Sequence, residues 1–435
     1  MKEKQSENMR EVRAARESRK RSEAGRVNGQ SSASERDIRI MGEQQDAKKK
    51  RKKRKTHSRA RRVIIFALEL IALCILFVGF FAVSKWNLIQ HVDVETKTDI
   101  YGNVIKQNSS DEMDPEYVEK ISEGYMNFVV FGCDSTTNGI NGRGTSLVSG
   151  TNTDVIMIIS INKDTGDMKM VSVYRDTIFY MPDDGSYNKV NQAVAKWDVN
   201  SAVACLNQNL DLTLTDYVSV NWKAVALAIN LLGGIEVDVP ESMMSYINGY
   251  ITETVQGTGI GSVQLTHSGV QTLDGVQAVA YCRVRYIDND YNRTARQRAV
   301  VEKMVEKAKT ADLATLMGIA DAVFKETATS FELNEVLEMC GLIYKLNITD
   351  TKGYPFYQLS QEYNANVPVQ GGWPCFARGY CYNVKLLHEY LYGDVDYELT
   401  PTAYEINVNL ENASGLSAPS EAETTPMYTE DTAAE

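Results

Sequence analysis

Arginine is unevenly distributed in the long acidic part of this 435-residue sequence. After residue 84 there are only eight arginines, and five of them fall between Arg283 and Arg298, a stretch without lysine. The same part contains 16 lysines, so solubility alone does not explain the choice of arginine here. The planar guanidinium group pairs with phosphate oxygens in a bidentate manner. We interpret the cluster as a phosphate or pyrophosphate site, with salt bridges to Asp288 and Asp290 on a solvated surface as the alternative.

The spacing of these residues divides them into two groups. Arg283 and Arg285 share a side of the chain if the backbone there is extended. Arg293, Arg296 and Gln297 are spaced i, i+3 and i+4, which places them on one face of a helix. Each group can therefore present its side chains together.

Acidic residues stand at the ends of three apolar, strand-like runs. Asp134 follows NFVVFG, Asp154 begins DVIMIISI, and the pair Arg175 and Asp176 follows MKMVSVY. If these strands share a sheet, the carboxylates and a guanidinium group meet at one edge. Hard oxygen ligands beside a phosphate site are typical of Mg²⁺ sites. Without the arginines, each Asp would indicate no more than a turn.

The elements that must position these residues alternate between strand and helix patterns. Residues 154–161 and 168–174 predict a hairpin, and residues 216–239 predict a strand, a helix and a strand. Asp274 is the predicted N-cap of a helix through residues 275–285, and the apolar spacing within 301–308 predicts a second, long helix over residues 292–309. This order predicts an α/β fold, a three-layer α-β-α domain with a central mixed sheet.

Charge divides the chain at an apolar run. Residues 1–62 contain 22 basic and 9 acidic residues, whereas the remainder contains 24 basic and 48 acidic residues, which argues against nucleic acid as its partner. Residues 63–83 carry a single charge, Glu69, and 21 residues suffice for one transmembrane helix. Because the basic flank precedes this helix, the N-terminus is predicted to be cytoplasmic and the acidic part extracellular.

These patterns predict five regions of a single-pass protein of the cell membrane. Residues 1–62 are a disordered basic cytoplasmic tail close to anionic membrane lipid, and residues 63–83 are the transmembrane helix. Residues 84–126 are an extracellular stalk, residues 127–393 one large domain, and residues 394–435 a C-terminal tail that is largely disordered.

Other chemical signatures are missing from the sequence. It contains no G-x-S-x-G, no H-E-x-x-H and no phosphate-binding P-loop motif, and its cysteines lack the spacing of zinc sites. Six cysteines follow the apolar run, and an even number permits disulfides in an oxidising compartment. Cys375 and Cys381 are close enough to close a small loop.

Four ordered motifs across residues 127–393 resemble the LytR-CpsA-Psr family of bacterial cell-envelope proteins. The paired strands end in YRDT, and KVNQAVA resembles the family's K-I-N-x-A element. LLGGIEVDVP is similar to its G-G-V-x-V-x-V-P segment. LDGVQAVAYCRVRYIDNDYNRTARQR resembles its long motif of paired arginines followed by D-x-x-R-x-x-R-Q.

The resemblance implies a magnesium-dependent phosphotransferase of cell wall assembly. Such an enzyme moves a glycopolymer, for example teichoic acid or capsule, from a polyprenyl pyrophosphate carrier to a hydroxyl of peptidoglycan. Asp134 and Asp154 resemble the metal-associated carboxylates, and these two with Arg175 and Arg283 form the implied catalytic set. The residues implied to bind the pyrophosphate are Arg175, Lys189, Arg283, Arg285, Arg293 and Gln297.

Two features depart from the family's pattern. Thr136 and Thr137 stand where the family often has an arginine soon after the Asp, and Arg143 is the candidate substitute. Cys282 stands where a small residue is common, and a disulfide from Cys282 to Cys133 would join two predicted site strands.

Two other functions compete with the transferase. One is a non-catalytic envelope regulator that binds polyprenyl lipids, as a transcription attenuator would, and the other is a polyprenyl pyrophosphate hydrolase. Because binding alone does not need carboxylates, Asp134 and Asp154 favour an enzyme over the regulator. The hydrolase differs from the transferase only in its acceptor, water.

Overall fold

The computed structural model describes most of the acidic part of the chain. The described ranges are 84–136, 143–285, 289–360, 373–394 and 396–420, together with nine isolated positions. The predicted transmembrane helix lies outside them, as does nearly all of the predicted basic tail. Within these ranges no helix is both long enough and apolar enough to cross a bilayer.

The described elements alternate between strands and helices along the chain. The strands are β1 (Gln90–His91), β2 (Tyr125–Cys133), β3 (Thr153–Asn162), β4 (Asp167–Val173), β5 (Ile178–Met181), β6 (Ser186–Lys189), β7 (Asp216–Val220), β8 (Ile235–Val239), β9 (Gly269–Leu273), β10 (Thr327–Thr329), β11 (Asn347–Tyr354), β12 (Gln358–Ser360) and β13 (Cys375–Ala377). The helices are α1 (Pro115–Gly124), α2 (Gln192–Lys196), α3 (Val199–Leu210), α4 (Trp222–Leu231), α5 (Met244–Thr258), α6 (Gly275–Arg283), α7 (Asp290–Thr310), α8 (Leu313–Val323), α9 (Leu333–Leu342), α10 (Tyr380–Tyr392) and α11 (Pro401–Ser414).

Seven strands form the central mixed sheet, in the order β1-β10-β7-β2-β3-β4-β11. The predicted hairpin is confirmed, because β3 and β4 pair in antiparallel register, with Ile159 opposite Met170. β2 pairs with β3 in the antiparallel sense and with β7 in the parallel sense. The ends of β2 and β3 that carry Asp134 and Asp154 therefore lie at the same edge of the sheet.

Helices cover both faces of this sheet. Alternate residues of β3 face opposite ways, so Ile156 and Ile158 join one core cluster while Met157 and Ile159 join another. The first cluster includes residues of α1, α3, α10 and α11, and the second includes residues of α7 and α9. The predicted α/β class with a mixed central sheet and helices on both faces is confirmed.

A third core cluster lies among α4, α5 and α6. The predicted strand, helix and strand between residues 216 and 239 are present as β7, α4 and β8. However, β8 pairs with β9 in a separate two-stranded ladder and is not part of the central sheet. Helices α4, α5 and α6 form one side of the site described below.

Gly275 begins α6 at the point where this helix packs directly against α4. A Cβ atom at Gly275 would lie 1.9 Å from the carbonyl oxygen of Ala226, so even alanine does not fit. The predicted N-cap at Asp274 is confirmed: its side chain accepts a hydrogen bond from the backbone N–H of Gln277, and Gln277 reciprocates. The cap and the glycine together fix the start of the helix that ends at Arg283.

We expect Gly275→Ala to lower the free energy of unfolding by about 1–3 kcal/mol, because α6 would have to move away from α4. Gly249→Ala in α5 is the matched control, since a Cβ atom there meets nothing within 4 Å. Alanine should stabilise that helix position by about 0.4–1 kcal/mol. Denaturant unfolding measures both changes, and equal effects at the two glycines would contradict the close packing.

The prediction of a stalk at residues 84–126 is wrong. β1 pairs in parallel with β10 at one edge of the sheet, and α1 buries Tyr117 and Ile121 in the core. Ile105 is also buried. The polar composition was misleading because a few widely spaced apolar residues are enough to hold this segment on the domain.

The prediction of a largely disordered tail after residue 394 is wrong for the described part of that segment. Residues of α11, among them Ala403 and Leu410, are buried against the domain. The carboxylate of Asp211 anchors the segment by accepting hydrogen bonds from the hydroxyls of Tyr397 and Thr400, each at 2.8 Å. Residues 421–435 lie outside the described residues.

Candidate active site

A cavity of about 640 Å³ lies between one face of the central sheet and helices α4 to α8. Val130 of β2 and Met157 of β3 are cross-strand partners, and both line it. Asp134 and Asp154 line it where these strands reach the edge of the sheet. The charged lining residues therefore lie at that edge of the sheet. We call this part of the cavity lining the polar edge of the cavity.

The polar edge carries more positive than negative charge. Five arginines and three carboxylates line the cavity, although the chain beyond residue 62 is strongly acidic. These residues are Asp134, Arg143, Asp154, Arg175, Glu253, Arg283, Arg285 and Arg293. The excess of guanidinium groups makes this part of the cavity suited to an anion with several oxygens.

Asp134 follows β2 and is held by the loop that leads to β3. Arg143 of that loop donates a hydrogen bond from Nε to Asp134 Oδ1 at 2.8 Å. Even so, burial and then the negative charge of Asp154 raise the pKa of Asp134 above its ordinary value. The two carboxylates are thus close enough to repel each other.

Asp154, at the start of β3, is held in its ionised form by arginines. Arg175 NH1 donates a hydrogen bond to Asp154 Oδ1, and Arg293 NH1 lies 4.0 Å from Asp154 Oδ2. Burial alone would raise the pKa of Asp154, but the charges of Arg175 and Arg293 outweigh burial and lower it. Asp154 is therefore a carboxylate at any pH near neutrality.

Arg293 is the most deeply buried of these arginines, with a side chain 2% exposed. Its NH2 group lies 2.7 Å from Asp290 Oδ1, but neither NH2 nor Nε makes a hydrogen bond of good geometry with a described residue. Nε of Arg175 is likewise buried without one. Buried donors without acceptors are costly, and phosphate oxygens would satisfy them.

Arg283 is fixed on three sides. Its NH2 group donates to Glu253 Oε2 at 2.6 Å and its NH1 group to Thr254 Oγ1 at 2.9 Å. Its guanidinium carbon lies 3.6 Å from the ring centroid of Trp222 and 4.8 Å from that of Tyr250. The side chain is therefore held in one position before any ligand binds.

Aliphatic side chains line the rest of the cavity. They come from strands β2 and β3, from the end of β7 and from helices α4, α6, α7 and α8. The set comprises Val130, Val155, Met157, Ile159, Val220, Ala224, Val225, Ala228, Val279, Val300, Val301, Met304 and Val323. A single cavity thus joins a cationic region to a hydrocarbon-like surface, which suits a molecule with an anionic head and an apolar tail.

The structure brings most of the predicted site residues together. Those that line the cavity are Asp134, Asp154, Arg175, Arg283, Arg285, Arg293 and Gln297. Lys189 lies outside the lining and forms an ion pair with Asp176 at 3.0 Å. Arg296 is buried and donates a hydrogen bond to the carbonyl oxygen of Val284 at 2.7 Å.

The helix predicted to begin after Asp274 is confirmed, and Arg283 is its last residue, so the backbone at Arg283 is not extended. Its side chain is mostly buried, whereas Arg285 is exposed at the rim of the cavity. Helix α6 continues this far because its apolar residues fit the third core cluster. The two arginines still share the cavity.

Other lining residues had no signal in the sequence. Glu253, Trp222 and Tyr250 surround Arg283, but each lies in an ordinary helical run. Arg143, the candidate substitute, does reach Asp134. The helix positions meet only because α4 and α5 pack beside α6, which no local pattern reveals.

Five cysteines whose side chains the structure describes form no disulfide. Cys133, Cys282, Cys375 and Cys381 are free thiols, as is Cys205. Cys133 and Cys282 both line the cavity, and burial raises the pKa of each thiol to about 12. At neutral pH both are therefore protonated.

Asp134 and Asp154 fit a magnesium ion that is shared with a phosphate. Each carboxylate uses one oxygen for its arginine hydrogen bond, and their mutual repulsion would fall with a cation beside them. No group of three Asp, Glu, His or Cys side chains suited to a metal occurs among the described residues. This does not conflict with Mg²⁺, which commonly binds one or two carboxylates together with substrate phosphates.

Comparison with known proteins decides the family. The LytR_cpsA_psr family model matches residues 89–372, about two thirds of the chain. The chain belongs to the LytR-CpsA-Psr family. The match begins within the segment that was predicted to be a stalk.

Curated relatives in the LytR-CpsA-Psr family are about a quarter identical in sequence. The polyisoprenyl-teichoic acid–peptidoglycan teichoic acid transferase TagU of Enterococcus faecalis is 27% identical over 56% of this chain and 70% of its own length. TagU of Bacillus licheniformis is 26% identical over 62% and 76%. Biofilm regulatory protein A of Streptococcus mutans is 27% identical over 42% and 45%. Several other matches span about half of the relative's length.

Solved structures support the fold of this family member. A crystal structure of a Streptococcus agalactiae protein matches 65% of this chain and 92% of its own, with a TM-score of 0.53 and 20% identity. An Enterococcus faecalis structure described as a transcriptional regulator matches 69% and 98%, with a TM-score of 0.50 and 20% identity. At this identity the likeness establishes the fold alone.

Proposed function

We propose that this protein is a magnesium-dependent phosphotransferase that moves a glycopolymer from a polyprenyl pyrophosphate carrier to peptidoglycan. The observation that carries the proposal is the single cavity in which a cationic edge adjoins an aliphatic lining. A polyprenyl pyrophosphate has the same two parts, a doubly charged head and a hydrocarbon chain. The names of the TagU relatives support the transfer of teichoic acid to peptidoglycan.

The arginines would bind the pyrophosphate and neutralise the negative charge that develops on its oxygens during the transfer. Arg175 and Arg293 each have a buried Nε donor that makes no hydrogen bond with a described residue, and Arg283 is held in place by Glu253 and Trp222. Fixed donors of this kind stabilise developing charge without reorganising. Arg285 and Gln297 complete the set at the same cavity.

The reaction exchanges one phosphorus–oxygen bond for another. An oxygen of the acceptor hydroxyl attacks the phosphorus that carries the glycopolymer, its proton is released, and polyprenyl phosphate leaves. Asp134 and Asp154 would hold Mg²⁺, which supplies charge neutralisation at the phosphates. Asp154, which remains ionised, also orients the guanidinium group of Arg175.

The same proposal includes a location at the cell membrane. The apolar residues 63–83 and the basic run before them would anchor the chain with the catalytic domain outside the cell, where peptidoglycan lies. The lipid carrier would then reach the cavity from the outer face of the same membrane.

The test is release of polyprenyl phosphate from a synthetic polyprenyl pyrophosphate-linked saccharide by the full-length protein, with and without Mg²⁺. Peptidoglycan oligomers serve as the acceptor, and Arg283→Ala and Asp154→Ala are compared with wild type. We expect release that needs Mg²⁺, falls in both variants and yields linked product. Saccharides on a pyrophosphate without a lipid chain should be poor substrates, because they leave the aliphatic lining empty.

The outcomes separate the competing functions. Release of lipid phosphate without linked product would indicate a hydrolase. Binding of the lipid without any turnover would indicate a regulator, which the name of the Streptococcus mutans relative also suggests for that protein. Either result would overturn the transferase.

A further inference from the structure

Glu253 contacts Arg283, which the proposed function assigns to the pyrophosphate, and also Arg143, which lines the same cavity. Its Oε1 lies 2.7 Å from NH1 of Arg143, and its Oε2 accepts a hydrogen bond from NH2 of Arg283 at 2.6 Å. One carboxylate thus bridges two guanidinium groups with one oxygen each. A phosphate group could bridge the same pair in the same way.

The two guanidinium groups lie close together despite their like charge. Both are near the ring of Trp222, with the Arg283 carbon at 3.6 Å from its centroid and the Arg143 carbon at 4.9 Å. Arg143 also donates to Asp134 at 2.8 Å. Glu253 therefore compensates a local excess of positive charge at the polar edge of the cavity.

We propose that Glu253 is a built-in counter-ion of the pyrophosphate site, which competes with the ligand's phosphates for Arg143 and Arg283. The inference rests on the proposed function and concerns the affinity of its site. The carboxylate holds the arginines in place before binding, and it repels the phosphates once they bind to the same groups. Glu253 is a positioning residue, which lowers affinity for the ground state and favours departure of the phosphate product.

Competition and a merely structural role predict opposite changes in the affinity for phosphate. Removal of the charge should strengthen phosphate binding, whereas loss of a purely structural contact should weaken it. We expect Glu253→Gln, which keeps the size of the side chain, to bind inorganic pyrophosphate about tenfold more tightly than wild type. A tenfold change corresponds to about 1.4 kcal/mol, a modest fraction of the interaction between close charges at an effective dielectric constant of about 20.

Isothermal titration of the full-length protein with inorganic pyrophosphate measures this affinity. Glu253→Met, which removes the charge and retains a side chain of similar length, is a second variant in case Glu253→Gln does not fold. Glu236→Gln is the charge-matched control, because Glu236 is exposed on β8 and lies outside the cavity lining. We expect its affinity to equal that of wild type, and thermal unfolding checks that each variant is folded.

Steady-state kinetics provides an independent readout. If Glu253 competes with the substrate's phosphates, its removal should lower KM without raising kcat. The reason is that the bound substrate is stabilised at least as much as the transition state. Equal or weaker pyrophosphate binding in both folded variants would overturn the inference. If wild type neither binds pyrophosphate nor transfers glycopolymer, the proposed function itself fails, and this result is distinguishable from the first.

Discussion

Asp134→Asn and Asp154→Asn should each lower the rate of polyprenyl phosphate release by about 100-fold or more, while they change stability in opposite directions. Each substitution removes a carboxylate from the proposed magnesium site, and the loss of one electrostatic contact to a transition state typically costs this much. The opposite stability effects follow from the opposite pKa shifts of the two groups.

The ionised form of Asp154 stabilises the fold. Arg175 and Arg293 lower its pKa against the effect of burial, so its contribution is fully present above the ordinary pKa of Asp and is lost as pH falls through the lowered value. Asp154→Asn removes a charge-assisted hydrogen bond and leaves NH1 of Arg175 without its carboxylate acceptor. We expect the free energy of unfolding to fall by about 1–3 kcal/mol.

The ionised form of Asp134 has the opposite effect. Burial and the charge of Asp154 raise its pKa in spite of the hydrogen bond from Arg143. The folded state therefore loses stability as pH rises from the ordinary pKa of Asp through the raised one, and the cost is fully present above it. Asparagine removes this cost, so Asp134→Asn should raise the free energy of unfolding.

Denaturant unfolding of both variants at pH 7, without added Mg²⁺, measures the difference. Wild-type protein compared with and without Mg²⁺ gives the complementary result, since a cation at the two carboxylates should stabilise the fold. That gain should disappear in both variants. Equal destabilisation by both substitutions would contradict the assigned electrostatics, and full activity of either variant would contradict the proposed metal site.

The residues at strand ends could be predicted from the sequence because strand patterns are local. The apolar runs that became β2, β3 and β4 define where each strand ends, and antiparallel pairing brings Asp134 and Asp154 to one edge. The same holds for Arg293 and Gln297, whose i, i+4 spacing is sufficient once α7 is recognised. These residues can be predicted because their placement depends only on their spacing within one strand or helix.

Residues whose roles depend on packing between distant elements could not be predicted. Glu253 meets Arg283 only because α5 packs against α6, and Arg143 reaches Asp134 through a loop of irregular sequence. The burial of the segments around Tyr117 and Leu410 is not predictable from the sequence for the same reason. Their few apolar residues are buried by partners far away in the chain, not by a continuous apolar pattern.

Arg293→Lys should lower kcat/KM for the lipid-linked substrate by about 100-fold or more, although the charge is kept. Arg293 NH2 lies 2.7 Å from Asp290 while NH1 lies 4.0 Å from Asp154, and Nε has a buried N–H with no described acceptor. A lysine has one ammonium group and cannot occupy these three directions at once. Misplaced donors at a reacting phosphate cost a factor of this size.

The control for Arg293→Lys is the same substitution at Arg378, which lies outside the cavity lining. We expect Arg378→Lys to retain the wild-type kcat/KM, so a loss confined to Arg293 reports on the cavity. Stability must be measured in parallel, because burial already lowers the pKa of Arg293 and an ammonium group is more strongly hydrated than a guanidinium group. A folded Arg293→Lys enzyme with wild-type kinetics would mean that phosphate binding does not need the guanidinium group of Arg293. It would also mean that the unpaired donor of Arg293 has no part in the reaction.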